Sequence, residues 1–306
     1  MKTRRNFIKI TTAGVGATLV SPHLSALPKI LAASDIACQQ YPWFTFFRRE
    51  GKDWNKDLAY SMNEFSKAGF TGFEPTFESV QDVENLEPLL RQHKLATQSL
   101  YVNSVLHDAE RTEDSIGQVL EIAEAAKPLG IEILVTNPSP ISWGGPEDKT
   151  DAQLITQAKA LNHLGKKLRS MGITLAYHNH DAEMRNSARE FHHMMLATEP
   201  ENVRLCLDAH WIYRGSGDSQ VALFDIVDLY VDRVVELHLR QSKDGIWTEA
   251  FSEGDIDYSR LADILKSRGI QPHIVLEQAI EEASSNTLDA VKAHQLSLEY
   301  ATEVFG

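Results

Sequence analysis

From residue 35 onward the chain alternates short apolar runs with longer stretches of helical period. Eight such runs occur: DIACQQ near 35, GFTGFEP near 69, LATQSLYV near 95, IEILVTNP near 131, GITLAYHNH near 172, VRLCLDAHW near 203, VVELHLR near 234 and HIVLEQ near 273. Between them, charged segments carry apolar residues every three or four positions. DLAYSMNEFSKAGF aligns Leu58, Met62, Phe65 and Ala68. The stretch from Asp151 repeats Leu154, Ile155, Ala158, Leu161, Leu164 and Leu168, and DYSRLADILKSRGI aligns Leu261, Ile264 and Leu265. That spacing is the stripe of an amphipathic helix. Gly69, Gly130, Gly172 and Gly269 stand between a helical stretch and the next run, where a left-handed cap ends a helix.

Strand and helix alternating eight times imply parallel strands joined by helical crossovers. Eight units in residues 35–306 predict a single-domain (β/α)8 TIM barrel. A doubly wound open sheet is the competitor, but no glycine-rich phosphate loop follows the first strand. No break in composition marks a second domain.

A barrel turns alternate strand residues inward and gathers chemistry at the C-terminal strand ends. Strand parity therefore sorts the polar residues. Arg204, Cys206, Asp208 and His210 share the inward face of one run; Thr174, Ala176, His178 and His180 share that of the run before it. Glu236 and His238 face inward, with Val235, Leu237 and Leu239 outward; Glu74 and Glu277 end inward faces of their own strands. Five strands thus bring an acid or a histidine to one mouth. Buried charges are costly there unless they bind a metal or each other. Mixed carboxylate and imidazole donors suit one divalent ion, with manganese expected and cobalt, zinc, iron or magnesium compatible.

Charge and termini narrow the partners. The formal charge of −13 repels phosphate backbones and anionic lipid, so nucleic acid is not an expected partner. The only cysteines, Cys38 and Cys206, fall in predicted strands and read as buried thiols. Residues 1–34 read as a twin-arginine export signal: Arg4 and Arg5, an apolar stretch from Ile10 to Val20, then small residues from Ser25 to Ser34. The stretch is too short to span a membrane, so an exported, periplasmic protein without membrane insertion is expected. A homo-oligomer is left open.

GFEP at 72–75, LDAHW at 207–211, ELHLRQSKDG at 236–245, EGDIDY at 253–258 and VLEQ at 275–278 resemble the xylose isomerase-like barrel superfamily of sugar isomerases and epimerases. The resemblance implies one divalent ion held by Glu, Asp, His and Glu from the last four ligand strands. Asp208, His238 and Glu277 match three of these positions. At the fourth, YHNH replaces the glutamate, so His178 becomes the expected ligand, with His180 as the alternative or as a substrate contact. The implied activity is isomerisation or epimerisation of a sugar or keto-sugar through an enediolate. Glu277 is the expected proton carrier, with His180 or Glu183 as the second acid/base. Loss of the glutamate leaves a lyase or hydrolase of a keto-sugar, glycoside or cyclitol as the alternative. Glu74, His210, Trp211 and Lys243 are the expected contacts to the sugar, and the strand-end aromatics Trp43, Phe44, Trp143, Trp211 and Trp247 are candidates for stacking on it or for core packing.

Overall fold

In the computed structural model, which describes residues 36–306, eight parallel strands succeed one another around a barrel; the expected export signal lies outside the described residues. The barrel strands are β1 (Ile36–Gln39), β2 (Gly72–Glu74), β3 (Ser99–Tyr101), β4 (Ile133–Thr136), β5 (Thr174–His178), β6 (Arg204–Asp208), β7 (Val234–Leu239) and β10 (His273–Leu276). A short hairpin, β8 (Ser242–Lys243) and β9 (Ile246–Trp247), lies between β7 and β10. Hydrogen bonding runs β2-β1-β10-β7-β6-β5-β4-β3, and parallel bridges Gly72–Ala96 and Thr76–Tyr101 close the seam between β2 and β3. Pro75 supplies only a carbonyl at this seam, accepting from Tyr101 N at 2.8 Å. Gly72 is required at the β1 contact, since a Cβ there would stand 2.8 Å from that of Ala37.

The helices begin and end as their sequence signals predict. Ser79 with Asp82 and Thr150 with Gln153 form capping boxes at the starts of α3 (Val80–His93) and α5 (Asp151–Ser170). The four glycines expected after helices have φ between +68° and +91°. Outward strand residues such as Leu175, Leu205, Leu237 and Leu276 are buried beneath the helices. Trp43, one of the aromatics considered for stacking on a sugar, is fully buried in this core. A second, smaller cluster of Tyr101, Ile133, Val135, Ala176 and Cys206 packs separately.

One strand departs from simple alternation. The β6–β7 register shifts between Leu205 and Cys206, which pair with Val234 and Glu236. Val235, expected outside beside Leu237, is the residue skipped by this bulge, and it packs on the smaller cluster instead. Cys38 and Cys206 are buried free thiols, as expected. Among the described residues no helix is long and apolar enough to cross a membrane.

Candidate metal and substrate site

Four side chains converge at the C-terminal strand ends: His178 from β5, Asp208 from β6, His238 from β7 and Glu277 just after β10. His178 Nε2 lies 3.8 Å from Asp208 Oδ2 and 3.8 Å from Glu277 Oε2, and His238 Nδ1 lies 3.1 Å from Glu277 Oε2. All four are buried. Neither ring nitrogen of His178 has a hydrogen-bond partner, nor has Asp208 Oδ2. Donors about 2.1 Å from one ion stand about 3.0–3.4 Å apart. Shifts of a few tenths of an ångström therefore turn this ring into a coordination set, and the unpartnered donors fit a divalent ion.

Neighbouring groups hold each ring member in place. Asp208 caps α7 (Ala209–Gly215): its Oδ1 accepts from Trp211 N at 2.8 Å, which turns Oδ2 toward His178. Asn179 Nδ2 donates to Asp208 O at 3.1 Å, and Asp208 N donates to Asn179 Oδ1 at 3.2 Å. Thus the middle residue of HNH ties β5 to β6 while both histidines stay on the inward side. His238 Nε2 contacts Glu236 at 3.1 Å and Glu74 at 3.3 Å, and Ser99 Oγ donates to Glu74 at 2.8 Å. An N–H at Nε2 directed to carboxylates leaves Nδ1 as the nitrogen that faces Glu277 and the ring.

The electrostatics follow from burial and partners. Burial pushes His178 down to about 4, so its imidazole is neutral. Burial pushes Asp208 up to about 7, a carboxyl ready to exchange its proton for a cation near neutrality. Glu277 is held well below its usual range: burial opposes ionisation, but the Arg240 guanidinium, His178 and His238 outweigh it. Burial and the neighbouring Glu74 push Glu236 up to about 8.

Around the ring stands an aromatic wall. His180 is half-buried, its ring 4.8 Å from His178, 5.5 Å from Trp211 and 5.1 Å from Trp143. His210 is fully buried with both nitrogens unpartnered, 6.1 Å from Trp211 and 5.9 Å from Trp247. Burial first, then Arg240 and Arg214, push His210 down to about 2.

Residues 62–300 match the family described as the xylose isomerase-like TIM barrel. The chain belongs to that family. An inosose dehydratase of Clostridium perfringens is 23% identical over 263 residues, covering 76% of this chain and 86% of that one. Two solved structures share the fold. The 3-keto-D-glucoside 4-epimerase of E. coli has a TM-score of 0.64 and 16% identity, covering 87% of this chain and 98% of that one. A xylose isomerase-like barrel protein of Mycobacterium smegmatis, in complex with magnesium, has a TM-score of 0.69 and 15% identity, covering 88% and 96%.

Within this family frame the expected site residues separate. His178, Asp208, His238 and Glu277 are brought together, and His180, His210 and Trp211 line the wall beside them. Two others lie against protein groups, and a third is exposed. Glu74, expected to touch the sugar, lies against His238 and Ser99 instead. Glu183, expected as an acid/base, accepts from Asn137 Nδ2 at 3.0 Å and from His180 N at 2.7 Å, and so shapes the turn after β5. Lys243 is exposed on the hairpin.

Arg240 was missed, although its parity matches Glu236 and His238. It is 1% exposed, with Nη2 3.3 Å from Glu277 Oε2 and Nε donating to Glu277 O at 3.0 Å. Its guanidinium stacks over Trp247 at 4.2 Å and Trp211 at 5.0 Å. Arg214 covers Trp247 as well, at 5.0 Å, and is held by Glu281. Arg240 Nη1 has no partner, which gives this part of the wall an unspent cationic donor. Such a site can bind a carbonyl or hydroxyl oxygen, keep a carboxylate ionised beside it and exclude water.

Proposed function

We propose that this protein is a divalent-metal-dependent isomerase or epimerase of a sugar or keto-sugar, acting through an enediolate. The observation that carries the reading is the buried ring of His178, Asp208, His238 and Glu277: His178, Asp208 and Glu277 stand close enough to share one ion, and the ring nitrogens of His178 and Oδ2 of Asp208 have no other hydrogen-bond partner. A divalent ion held there supplies Lewis acidity toward a carbonyl oxygen. The Glu277 carboxylate, kept ionised by Arg240, takes the proton from the carbon beside that carbonyl. Arg240 Nη1 donates to the oxygen on which negative charge develops. Glu277, protonated by that step, returns the proton to the neighbouring carbon, while His180, neutral and half-buried, passes the hydroxyl proton of that neighbouring carbon to the enediolate oxygen.

Manganese is the ion we propose, and the sugar is unphosphorylated. The second choice follows from the twin-arginine pair at Arg4–Arg5, since an exported enzyme meets few cytoplasmic sugar phosphates. A lyase is the second reading. It is favoured by the likeness to inosose dehydratases and by a neutral histidine, His178, at the position where the resemblance implies a glutamate.

The test is incubation of the manganese-loaded protein in D2O with free ketoses and 3-keto-glucosides, followed by NMR. Solvent deuterium in recovered sugar and in an isomer, with the carbon skeleton and oxygens intact, is the expected result. Loss of water or of the aglycone establishes the lyase reading, and no exchange with any substrate overturns both.

A further inference from the structure

The β4–α5 connection carries a feature the chemistry above does not use. Its neck is closed by Lys149, buried, with Nζ donating to Pro138 O at 2.7 Å and paired with Glu190 at 2.6 Å. Its tip is tied internally: Ser142 Oγ donates to Glu147 at 2.7 Å, and Gly145 N donates to Ser142 O at 3.1 Å. A Cβ on Gly145 would fall 1.9 Å from Ser142 Oγ and 2.4 Å from Glu147 Oε2, so a larger residue there would displace the Ser142–Glu147 bond. On this braced tip Trp143 is 58% exposed and Ile141 40%.

A single exposed apolar residue needs no explanation. An exposed tryptophan on a pinned loop, beside a candidate active site, is a different matter. Trp143 meets the His180 ring edge-on at 5.1 Å, and His180 stands 4.8 Å from the ligand His178. Aromatic rings therefore step outward from the ligand ring to solvent. A sugar whose carbonyl lies at the ligands passes His180 first. It reaches Trp143 only if it carries a further group. Flat apolar rings bind the C–H faces of sugars, and a platform fixed in advance loses little freedom on binding.

We propose that Trp143 is the floor of an outer subsite for the second unit of a glycoside. On the enediolate reading, which this inference presupposes, the substrate class is then a keto-glycoside or keto-disaccharide rather than a free monosaccharide.

The test is calorimetry on the manganese-loaded full chain with D-fructose, lactulose and isomaltulose, comparing wild type, Trp143→Ala and Trp143→Phe. At least one keto-disaccharide is expected to bind about fivefold or more tighter than D-fructose. That preference vanishes in Trp143→Ala and survives in Trp143→Phe, while the fructose affinity moves less than twofold. Equal affinity for all three sugars, binding of none, or a preference that survives Trp143→Ala overturns the subsite. So does light scattering in which Trp143→Ala only converts an oligomer to a monomer. Deuterium exchange into D-fructose reports on the enediolate reading separately, so failure of one is distinguishable from failure of the other.

Discussion

Asn179 and Asp208 exchange two hydrogen bonds across neighbouring strands, at 3.1 and 3.2 Å, through the side chain of one and the backbone of the other. The pair fixes the height of Asp208 against His178 before any ion binds. Asn179→Ala removes both bonds and leaves the four proposed ligands in place. Manganese affinity is expected to fall about 10- to 100-fold, the usual effect of losing a group that orients a ligand. Calorimetric titration reads this directly. Unchanged affinity would show that Asp208 is held by its helix cap alone.

His178→Ala deletes a donor outright. Chelation followed by manganese addition is expected to restore activity in wild type and not in this variant. His180→Ala, by contrast, is expected to keep the ion and lose turnover. Metal content by mass spectrometry, set against turnover for both variants, decides which histidine belongs to the ion. A metal-free His180→Ala protein would reverse the assignment.

Arg240 is tested by its effect on Glu277. The guanidinium holds that carboxyl well below its usual range. Removing the cation raises the Glu277 pKa, so the acid limb of kcat/KM moves to higher pH. Arg240→Met is expected to show that shift together with a loss of about 100-fold or more in kcat/KM. Arg240→Lys, which keeps the charge but not the planar fork, keeps the limb near its wild-type position and recovers part of the rate. An acid limb that does not move in Arg240→Met removes Arg240 from the role given to it.

How far the sequence reaches depends on where each strand stops. Period-two parity holds inside β5 and β6 and in β7 from Glu236 onward, and there it brings His178, Asp208 and His238 to one face. It fails in two ways. A bulge skips a residue without any signal in the local pattern, as at Val235. Past a strand end the backbone turns, and Glu183, within the single turn Ala182–Met184, is aimed back at the His180 amide rather than into the barrel. Glu74 shows a third limit: parity gives the face, not the depth, and an inward carboxylate can meet a histidine as readily as a sugar. Arg240 carried the right parity and lay one residue beyond β7, where a count stopped at the strand end passes it by.

His294 offers a prediction away from the chemistry. It lies in α10 (Ala290–Phe305), 1% exposed, stacked on Trp43 at 4.3 Å, with Nδ1 donating to Ala290 O at 2.7 Å and Nε2 unpartnered. Protonating Nε2 would place a cation among aromatic rings with no acceptor, and burial pushes the pKa down to about 4. The sign is therefore fixed. The unfolded chain binds this proton near pH 6.5 and the folded chain only near 4, so stability is full above pH 6.5 and declines as pH falls toward 4. Between pH 7 and pH 5 the loss from this one residue amounts to about 2 kcal/mol. His294→Gln keeps a donor for Ala290 and cannot titrate. The variant is expected to be less stable at pH 7, having lost the stacked ring, but to lose about 2 kcal/mol less between pH 7 and pH 5 than wild type does. Urea unfolding at the two pH values measures the difference. Parallel losses in both proteins would mean that His294 is already protonated in the fold, or that acid opens the barrel elsewhere first.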